Sequence, residues 1–471
     1  MNVFKNLIDG EWVDAADGGV FETHNPAHKT QVVGTYPSAT RQDVKDAVKA
    51  ARKALSGWAH TPAPDRAEIL YKTSQFIDAR LDDMASALTK EEGKTIAESR
   101  TEVARARDIM RYYAGEGLRL GGEVLPSNRS GELLYTRREP LGVVSIITPW
   151  NYPIAIPAWK IAPALIYGNT VVFKPASYAP RVGLMLVEEL VRAGLPLGAI
   201  NYLTGQGSVV GREMVRNPYV DGISFTGSYA VGIGIYREAA ENMSRVQLEM
   251  GGKNPLVVLQ DAVLELAVQL AVKGGYGVTG QACTATSRVI VQESIADEFA
   301  RALAQAARSL VVGDGLEAGT EMGPAVSQEQ LETDLRYIEI GQEQSARLLA
   351  GGKAISGQGF FLEPTLFDRV EPEMRIAQEE IFGPVIGILV ARDFEDSLRL
   401  ANATGYGLSA SVVTNDLHKA MAFVEHVRAG VVKVNQTTTG LALQAPFGGF
   451  KHSSGHTFKE QGQAAVEFYT R

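Results

Sequence analysis

Between about residues 142 and 260, short β-branched runs alternate with segments of helical length. The helical segments are residues 154–167, which end before Gly168, and residues 181–193, which end before Gly194. Strands and helices that alternate in this way form βαβ units, so the pattern predicts an α/β fold with a parallel, doubly wound sheet. The predicted strands cover residues 143–148, 171–174, 200–203, 223–226 and 256–259.

A second alternating block covers about residues 262–436, with strands predicted at 288–292 and 431–435 and a helix at 295–310. At 471 residues the chain exceeds the size at which a single hydrophobic core stops growing. No Pro-, Gly- or Ser-rich linker separates the two blocks. We therefore expect two α/β lobes that share a large interface with a cleft between them.

The segment before the first sheet is predicted to be helical. Thr40 and Asp43 have the spacing of an N-terminal cap, and the apolar residues that follow have helical spacing up to Gly57. Residues 65–117 continue as charge-rich helical sequence.

The charge and hydropathy of the chain disfavour several classes of partner. Lys and Arg number 46 against 54 Asp and Glu, a formal net charge of -8 that disfavours nucleic acid and anionic membranes. No stretch reaches the roughly 18 to 20 apolar residues that span a bilayer. Lys5, Asp9 and Glu11 interrupt the apolar run that a secretory signal needs, so we expect a cytoplasmic protein with no membrane partner.

Cys283 is the single cysteine, which excludes an internal disulfide and a cysteine-rich metal site, and no metal site is predicted. It lies in GQACTATSR, between Ala282 and Thr284 and after Gly280. Small neighbours let a substrate and backbone amides approach the sulfur, as nucleophilic catalysis requires. The alternative is a small buried hydrophobic residue.

Two further residues have the chemistry of a catalytic base and an oxyanion donor. Glu249, in LEMGGKNP, lies between Leu248 and Met250, where desolvation would raise the pKa of a general base. Asn151, in TPWNYP, follows a predicted strand, so its amide can donate to an oxyanion. The alternatives are a solvated or ion-paired carboxylate and a helix cap.

Two strand ends have features of a dinucleotide site. In FTGSYAVGIG, Gly227, Ser228 and Gly232 form a strand-to-helix turn that lacks the full G-x-G-x-x-G pattern but offers amides to a phosphate. In VVFKPAS, Lys174 can bind a ribose, and Ser177 leaves room for an adenosine phosphate. A plain tight turn and a solvated lysine are the alternatives.

Two loops nearer the C-terminus contain acidic, aromatic and glycine residues. In QEEIFGPV, Glu380 beside Phe382 can hold a ribose hydroxyl against an aromatic ring, or belong to a solvated acidic pair. PFGGFKHSSG fits either a cleft wall or a structural loop.

Taken in order, TPWNYP, VVFKPAS, FTGS, LEMGGKNP, GQACT, EEIFGPV and PFGGFK resemble the aldehyde dehydrogenase superfamily. The resemblance covers essentially the whole chain, from IDGEW near the N-terminus. It implies a Rossmann-like cofactor domain from residues 1–121 and 141–251 and an α/β catalytic domain from 252–451. Residues 122–140 and 452–471 would form a small β oligomerisation extension, giving a homodimer or homotetramer.

The resemblance also implies a mechanism. The Cys283 thiolate attacks an aldehyde, and the oxyanion is held by the Asn151 amide and the Cys283 N–H. Hydride leaves for the nicotinamide, and Glu249 activates the water that hydrolyses the thioester. A CoA-acylating relative, in which a thiol takes the acyl group, and a non-catalytic crystallin-like relative are the alternatives.

The cofactor implied is NAD or NADP. NAD-preferring members often have Glu where this chain has Ser177, so NADP is expected to be preferred. The residues implied to contact it are Thr148, Trp150, Lys174, Ser177, Gly227, Ser228, Gly232, Glu380 and Phe382.

The substrate implied is a small aldehyde. Trp159 and Lys160 stand where succinate semialdehyde dehydrogenases show an Arg before the Lys. The segment is most similar to bacterial members that oxidise α-ketoglutaric semialdehyde (2,5-dioxopentanoate), while aromatic, betaine-type and aliphatic aldehydes stay open. The residues expected to shape the pocket are Tyr152, Trp159, Ala282, Thr284 and Leu441.

Overall fold

The computed structural model describes residues 3–471. The strands are β1 (Asn6–Ile8), β2 (Glu11–Val13), β3 (Val20–Asn25), β4 (His28–Pro37), β5 (Val124–Leu125), β6 (Leu134–Tyr135), β7 (Val143–Ile147), β8 (Thr170–Lys174), β9 (Ile200–Tyr202), β10 (Gly222–Thr226), β11 (Arg245–Glu249), β12 (Asn254–Val258), β13 (Thr286–Gln292), β14 (Arg347–Ala350), β15 (Thr365–Asp368), β16 (Val385–Ala391), β17 (Tyr406–Gly407), β18 (Ser409–Val413), β19 (Val431–Val434) and β20 (Phe450–Lys451).

The α-helices are α1 (Arg41–His60), α2 (Ala63–Ala79), α3 (Leu81–Glu92), α4 (Ile96–Glu116), α5 (Ala155–Ile166), α6 (Arg181–Arg192), α7 (Arg212–Arg216), α8 (Tyr229–Ala239), α9 (Leu264–Tyr276), α10 (Glu293–Ser309), α11 (Gln328–Glu343), α12 (Arg375–Gln378), α13 (Phe394–Asn402), α14 (Leu417–His426) and α15 (Gly462–Tyr469). No helix of the described chain is both long enough and apolar enough to cross a membrane.

The first sheet has the strand order β11-β10-β7-β8-β9-β1-β2. Strands β11 to β9 are parallel, and β1 and β2 extend the sheet in antiparallel fashion. The parallel strands are almost wholly buried, because helices cover both faces. The predicted strands at 143–148, 171–174, 200–203 and 223–226 are confirmed, with ends that differ by one residue.

The second sheet has the strand order β14-β15-β16-β13-β12-β18-β19, and only β14 is antiparallel to its neighbour. The strands predicted at 288–292 and 431–435 and the helix predicted at 295–310 are confirmed as β13, β19 and α10. The strand predicted at 256–259 also forms, but its assignment to the first block was wrong. As β12, it lies inside the second sheet, because Gly251 and Gly252 lead the chain out of the first.

Helix α1 begins with the predicted cap. The Thr40 hydroxyl accepts from the Asp43 N–H, and the Asp43 carboxylate accepts from the Thr40 N–H at 2.7 Å. The prediction that the helix ends before Gly57 was wrong, because α1 continues to His60. The extra turn buries Trp58, whose indole N–H donates to the Leu165 carbonyl, and this outweighs the cost of an interior glycine, about 1 kcal/mol.

Residues 122–140 form a hairpin in which β5 pairs with β6. The end of this segment lies beside the C-terminal residues. Glu139 and Arg471 exchange backbone hydrogen bonds at 2.9 Å, and Leu141 N–H donates to the Tyr469 carbonyl. Helix α15, just before this terminal pairing, packs against α5 with Phe468 and Tyr469 in the first-lobe core. The division into domains at 121, 141, 251 and 451 stays a prediction.

Candidate active site

The carboxyl ends of β11, β10, β7 and β8 meet at one edge of the first sheet, since these parallel strands are neighbours. Open α/β sheets bind ligands at this edge. Predicted site residues stand at or just after each strand end, namely Glu249, Gly227, Thr148 and Lys174. Four motifs that are far apart in the chain therefore lie at the same edge of the sheet.

Gly251 and Gly252 bring three of the predicted motifs into contact. A Cβ on Gly251 would lie 1.8 Å from Oε2 of Glu380, and one on Gly252 would lie 2.6 Å from the carbonyl oxygen of Cys283. The Gly252 N–H donates to Oε1 of Glu380 at 3.0 Å. The glycine pair that follows Glu249 is thus required by close approach to both other loops.

Cys283 lies in the loop before β13, and the residue as a whole is partly exposed. The Asn254 side-chain amide donates to the Cys283 carbonyl at 2.8 Å and to the Ala285 carbonyl at 2.9 Å, which ties the loop to β12. Upstream, Val278 and Thr279 have φ of 52° and 57°. Left-handed backbone costs about 1–3 kcal/mol for such residues, and it persists where the surroundings hold it.

The surroundings of Cys283 favour the protonated thiol over the thiolate. Desolvation raises its pKa most, and the carboxylates of Glu380, Glu249 and Glu460 raise it further. The Thr284 backbone N–H opposes them. Because the thiolate is the nucleophile, a positive charge beside the sulfur would favour the reactive form.

Asn151 is buried, and one of its two amide N–H groups donates to the Gln281 carbonyl at 2.9 Å, two residues before Cys283. The second N–H stays available as a donor. The Asn151 carbonyl accepts from Nζ of Lys94 at 2.6 Å, and Lys94 forms a buried ion pair with Glu102, also at 2.6 Å. The Asn151 amide is thus held against the loop that carries the sulfur.

Glu249 is buried, and its two carboxylate oxygens differ. Oε2 accepts from the Ser454 hydroxyl at 2.8 Å, whereas Oε1 has no hydrogen-bond partner. Burial raises the Glu249 pKa well above its usual range, and Glu460 raises it further, against the lowering effect of Lys459. A desolvated carboxylate with one free oxygen is suited to accept a proton from water near neutral pH.

A buried ion pair lies beside Glu249. Lys160, on α5, contacts Glu460, and its ammonium also donates to the Ser224 hydroxyl at 2.9 Å. Burial raises the Glu460 pKa, while Lys160 lowers it. Glu460 adds negative charge near both Glu249 and Cys283.

The five predicted pocket residues divide between two surroundings. Tyr152 is half-buried, with the Lys94 ammonium 4.3 Å from its ring centroid, and the Cys283 charge acts on its hydroxyl. The Trp159 ring lies 6.1 Å from that of Phe447, and Leu441 packs on the same first-lobe core.

The other two pocket residues, Ala282 and Thr284, flank Cys283 and are buried. Ala282 lines a small cavity together with Glu380 and Phe382. It therefore lies toward the predicted nicotinamide side of the sulfur.

The residues at the sheet edge fit a dinucleotide cofactor. The hydroxyls of Thr148 and Thr226, at the ends of β7 and β10, are buried without a hydrogen-bond partner. Ser228 precedes α8 and makes no side-chain capping bond, so first-turn amides of this helix are free for a phosphate. The rings of Trp150 and Phe382 meet edge to face at 5.4 Å, beside the loop of Glu380.

Lys174 is the last residue of β8, and Ser177 follows three residues later. The Lys174 ammonium donates only to the neighbouring Pro175 carbonyl, and burial lowers its pKa to about 8. A buried lysine with one neutral partner is suited to a hydroxyl-rich or anionic ligand. Ser177 is half-buried and donates to the Gly205 carbonyl at 3.0 Å.

A cavity of about 620 Å³ contains none of the predicted site residues. It is lined by the 121–142 segment together with α1, α2 and the chain terminus, including Tyr135, Arg138 and Tyr167. Within residues 3–471, no cluster of His, Cys, Asp or Glu has the geometry of a metal site.

Sequence reasoning did not single out several buried polar residues that support the site, namely Lys94, Glu102, Asn254, Ser454 and Glu460. Their partners are distant in the chain, so no local spacing reveals them. Asn254 and Ser454 lie inside recognised motifs, LEMGGKNP and PFGGFKHSSG. A polar side chain within such a motif was the signal that could have identified them as site residues.

The parallel sheet edge, the partly exposed cysteine residue and the neighbouring amide and carboxylate fit an α/β oxidoreductase that uses a cysteine nucleophile. The chain belongs to the aldehyde dehydrogenase family, whose model matches residues 12–471. It is an NAD(P)-dependent aldehyde dehydrogenase. The family resemblance and the α/β fold predicted from the sequence are confirmed.

The chain is similar to "Alpha-ketoglutarate semialdehyde dehydrogenase" of Haloferax volcanii, 48% identical, covering 99% of this chain and 97% of the relative. It is also similar to "Alpha-ketoglutaric semialdehyde dehydrogenase" of Bacillus subtilis, 44% identical, covering 100% and 97%. Both relatives are described as dehydrogenases rather than as CoA-acylating or structural proteins.

Solved structures of aldehyde dehydrogenases have the same fold as this chain. Betaine aldehyde dehydrogenase from Staphylococcus aureus in complex with NAD+ matches with a TM-score of 0.97 at 36% identity, covering 99% of this chain and 93% of that one. An NAD-dependent aldehyde dehydrogenase from Sinorhizobium meliloti matches with a TM-score of 0.97 at 37% identity, covering 100% and 93%.

Proposed function

We propose that this enzyme oxidises α-ketoglutaric semialdehyde (2,5-dioxopentanoate) to the dicarboxylic acid. Three similar relatives carry this activity in their names, at 48%, 44% and 44% identity over nearly the whole chain. Trp159 in place of an arginine before Lys160 argues against a succinate semialdehyde pocket.

The observation that carries the chemistry of this proposal is the meeting of the Cys283 loop with the Asn151 and Glu249 segments at the edge of the first sheet. The Cys283 sulfur bonds to the aldehyde carbon, and the free N–H of Asn151 with the Cys283 N–H stabilises the oxyanion. Bound cofactor supplies a cationic nicotinamide that accepts the hydride. Glu249 then takes a proton from water through its free oxygen, and the hydroxide cleaves the thioester, releasing the acid and the thiol.

The substrate is tested by comparing kcat/KM for a set of aldehydes. We expect 2,5-dioxopentanoate to exceed betaine aldehyde, benzaldehyde and pentanal by about tenfold or more, since one well-placed charged contact contributes that much. Succinate semialdehyde, which also contains an aldehyde and a carboxylate, is included because it tests the argument from Trp159. A higher kcat/KM for any neutral or cationic aldehyde would contradict the assignment.

We propose that NADP is preferred over NAD. Lys174 places a positive charge beside the adenosine ribose site, and Ser177 adds no carboxylate that would repel a 2′-phosphate. In this assignment Thr148, Trp150, Gly227, Ser228, Gly232, Glu380 and Phe382 hold the rest of the cofactor.

The Ser177→Glu variant tests this preference. It is expected to lower the ratio of kcat/KM for NADP over NAD by about ten- to a hundredfold, because a carboxylate would replace a small hydroxyl. Ser177→Ala is the matched control and should keep the wild-type ratio. A large NAD advantage in the wild type would refute the argument.

We also propose a homodimer or homotetramer formed through the 122–140 hairpin. Its side chains include exposed apolar residues: Val124 (75% exposed), Leu133 (72%) and Tyr135 (62%). Apolar surface of this kind is typical of an interface between subunits. The cytoplasmic location stays a prediction from the sequence.

A further inference from the structure

Arg105, on α4, is a half-buried cation that forms no salt bridge in residues 3–471. Its one hydrogen bond joins Nη2 to Oε1 of Gln461 at the long distance of 3.4 Å. The other arginines of α4 (Arg100, Arg107 and Arg111) all pair with aspartates. Burial lowers the Arg105 pKa, and the charge of Asp108, about one turn further along α4, opposes this only in part. Asp108 itself pairs with Arg107, so Arg105 keeps an unsatisfied guanidinium in a partly desolvated position.

Gln461 places Arg105 beside the predicted substrate pocket. It follows Glu460, whose backbone pairs with Phe447, and whose charge acts on the Cys283 thiol. The next residue, Gly462, has no room for a Cβ, which would lie 2.3 Å from the Gln444 carbonyl. Segments 441–447 and 460–462 thus form one wall that includes Leu441.

Helix α4 also reaches the reaction centre. Glu102, one turn before Arg105, accepts from the Ile154 N–H at 3.0 Å and binds Lys94, which holds the Asn151 carbonyl. Arg105 is therefore about one helical turn, roughly 5 Å along the axis, from the support of the oxyanion donor.

Three other cations of this region already have partners. Lys94 pairs with Glu102, Lys160 pairs with Glu460, and Lys459 contacts the Gly449 carbonyl while its charge acts on Glu249. Arg105, by contrast, forms no salt bridge within residues 3–471, and its one hydrogen bond goes to the neutral Gln461.

We propose that Arg105 binds the terminal carboxylate of an oxo acid whose aldehyde end lies at Cys283. The guanidinium presents N–H groups in a planar fork that matches a carboxylate, and Gln461 occupies only one of them. In 2,5-dioxopentanoate, three carbons separate the aldehyde from the carboxylate. This inference rests on the proposed function and names the residue that selects an acidic aldehyde.

Arg105→Met and Arg105→Gln test the role of this charge, with 2,5-dioxopentanoate and pentanal as paired substrates of equal chain length. We expect KM for the acid to rise by about ten- to a hundredfold with kcat within about twofold, because the contact lies away from the reacting carbon. Kinetics with pentanal should be unchanged. Arg105→Lys should recover part of the lost affinity, since it keeps the charge but not the fork.

Arg100→Met is the matched control, because Arg100 lies on the same helix in an exposed ion pair with Asp82. It should leave both substrates unaffected. If the Arg105 variants impair both aldehydes equally, or neither, the carboxylate role is overturned, although a wild-type preference for the acid would still support the proposed function. If the wild type shows no such preference, the proposed function itself fails.

Discussion

The Cys283→Ala variant is expected to lose aldehyde oxidation by about four to six orders of magnitude, because no covalent intermediate can form. The wild type should release a burst of reduced cofactor on mixing with aldehyde, and the variant should release none. Stopped-flow absorbance of the nicotinamide measures both. Since Cys283 is the only cysteine, no other thiol can replace it.

Cofactor affinity provides the control for this variant. The cofactor residues lie mainly at the ends of β7, β8 and β10, so Cys283→Ala should bind NADP within about threefold of the wild-type Kd. A variant that keeps both cofactor binding and a full burst would show that the sulfur is not the nucleophile.

The Glu249→Gln variant is expected to lower steady-state turnover by about 10² to 10⁴, because general-base catalysis contributes that much. Its first-turnover burst should persist, since thioester formation precedes the step that Glu249 assists. The Ser454 hydroxyl can still donate to the amide oxygen, so the fold should be kept. Rapid-mixing kinetics separate the two phases, and a variant that loses the burst to the same extent would place Glu249 in the first step.

The direction of the Glu249 pKa shift fixes the sign of the pH dependence. Burial and Glu460 raise this pKa well above 4.5, and only the deprotonated form can accept a proton from water. Hydrolysis should therefore slow as the pH falls through the raised pKa, at a higher pH than for an exposed glutamate. The same limb should be absent from Glu249→Gln.

Local sequence was sufficient to predict the parallel sheet and its ligand-binding edge. Strands β7 to β10 are short β-branched runs bounded by glycines and prolines, so their positions follow from turn chemistry and periodicity. The same periodicity does not say which sheet a strand joins. Strand β12 was placed in the wrong one because the chain changes sheets at Gly251 and Gly252.

The polar support of the site could not be predicted in the same way. Lys160 and Glu460 are 300 residues apart, and Lys94 reaches Asn151 across 57 residues. In the sequence each of these charged residues resembles an ordinary surface charge, and only the fold shows that it is buried. Removing one partner of a buried pair costs about 3–5 kcal/mol, because the other charge stays buried without a partner, so substituting either residue would destabilise the loops that carry the site.

The contacts of the glycine pair explain how three loops form one centre. Gly251 lies against Glu380, and Gly252 lies against both Glu380 and the Cys283 backbone. Any side chain at either position would push apart the loop that carries the nucleophile and the loop assigned to the nicotinamide ribose. The positions of the base, the sulfur and the cofactor loop are thus set by one turn of the chain.

The central claim is that acyl transfer passes through a thioester on Cys283 that Glu249 helps to hydrolyse. Glu249→Gln should be mixed with 2,5-dioxopentanoate and NADP, quenched in acid, and analysed by intact-protein and peptide mass spectrometry. We expect the mass of one acyl group on the peptide that contains Cys283, and none in Cys283→Ala. Reduced cofactor formed without an acyl adduct on that peptide would contradict the account.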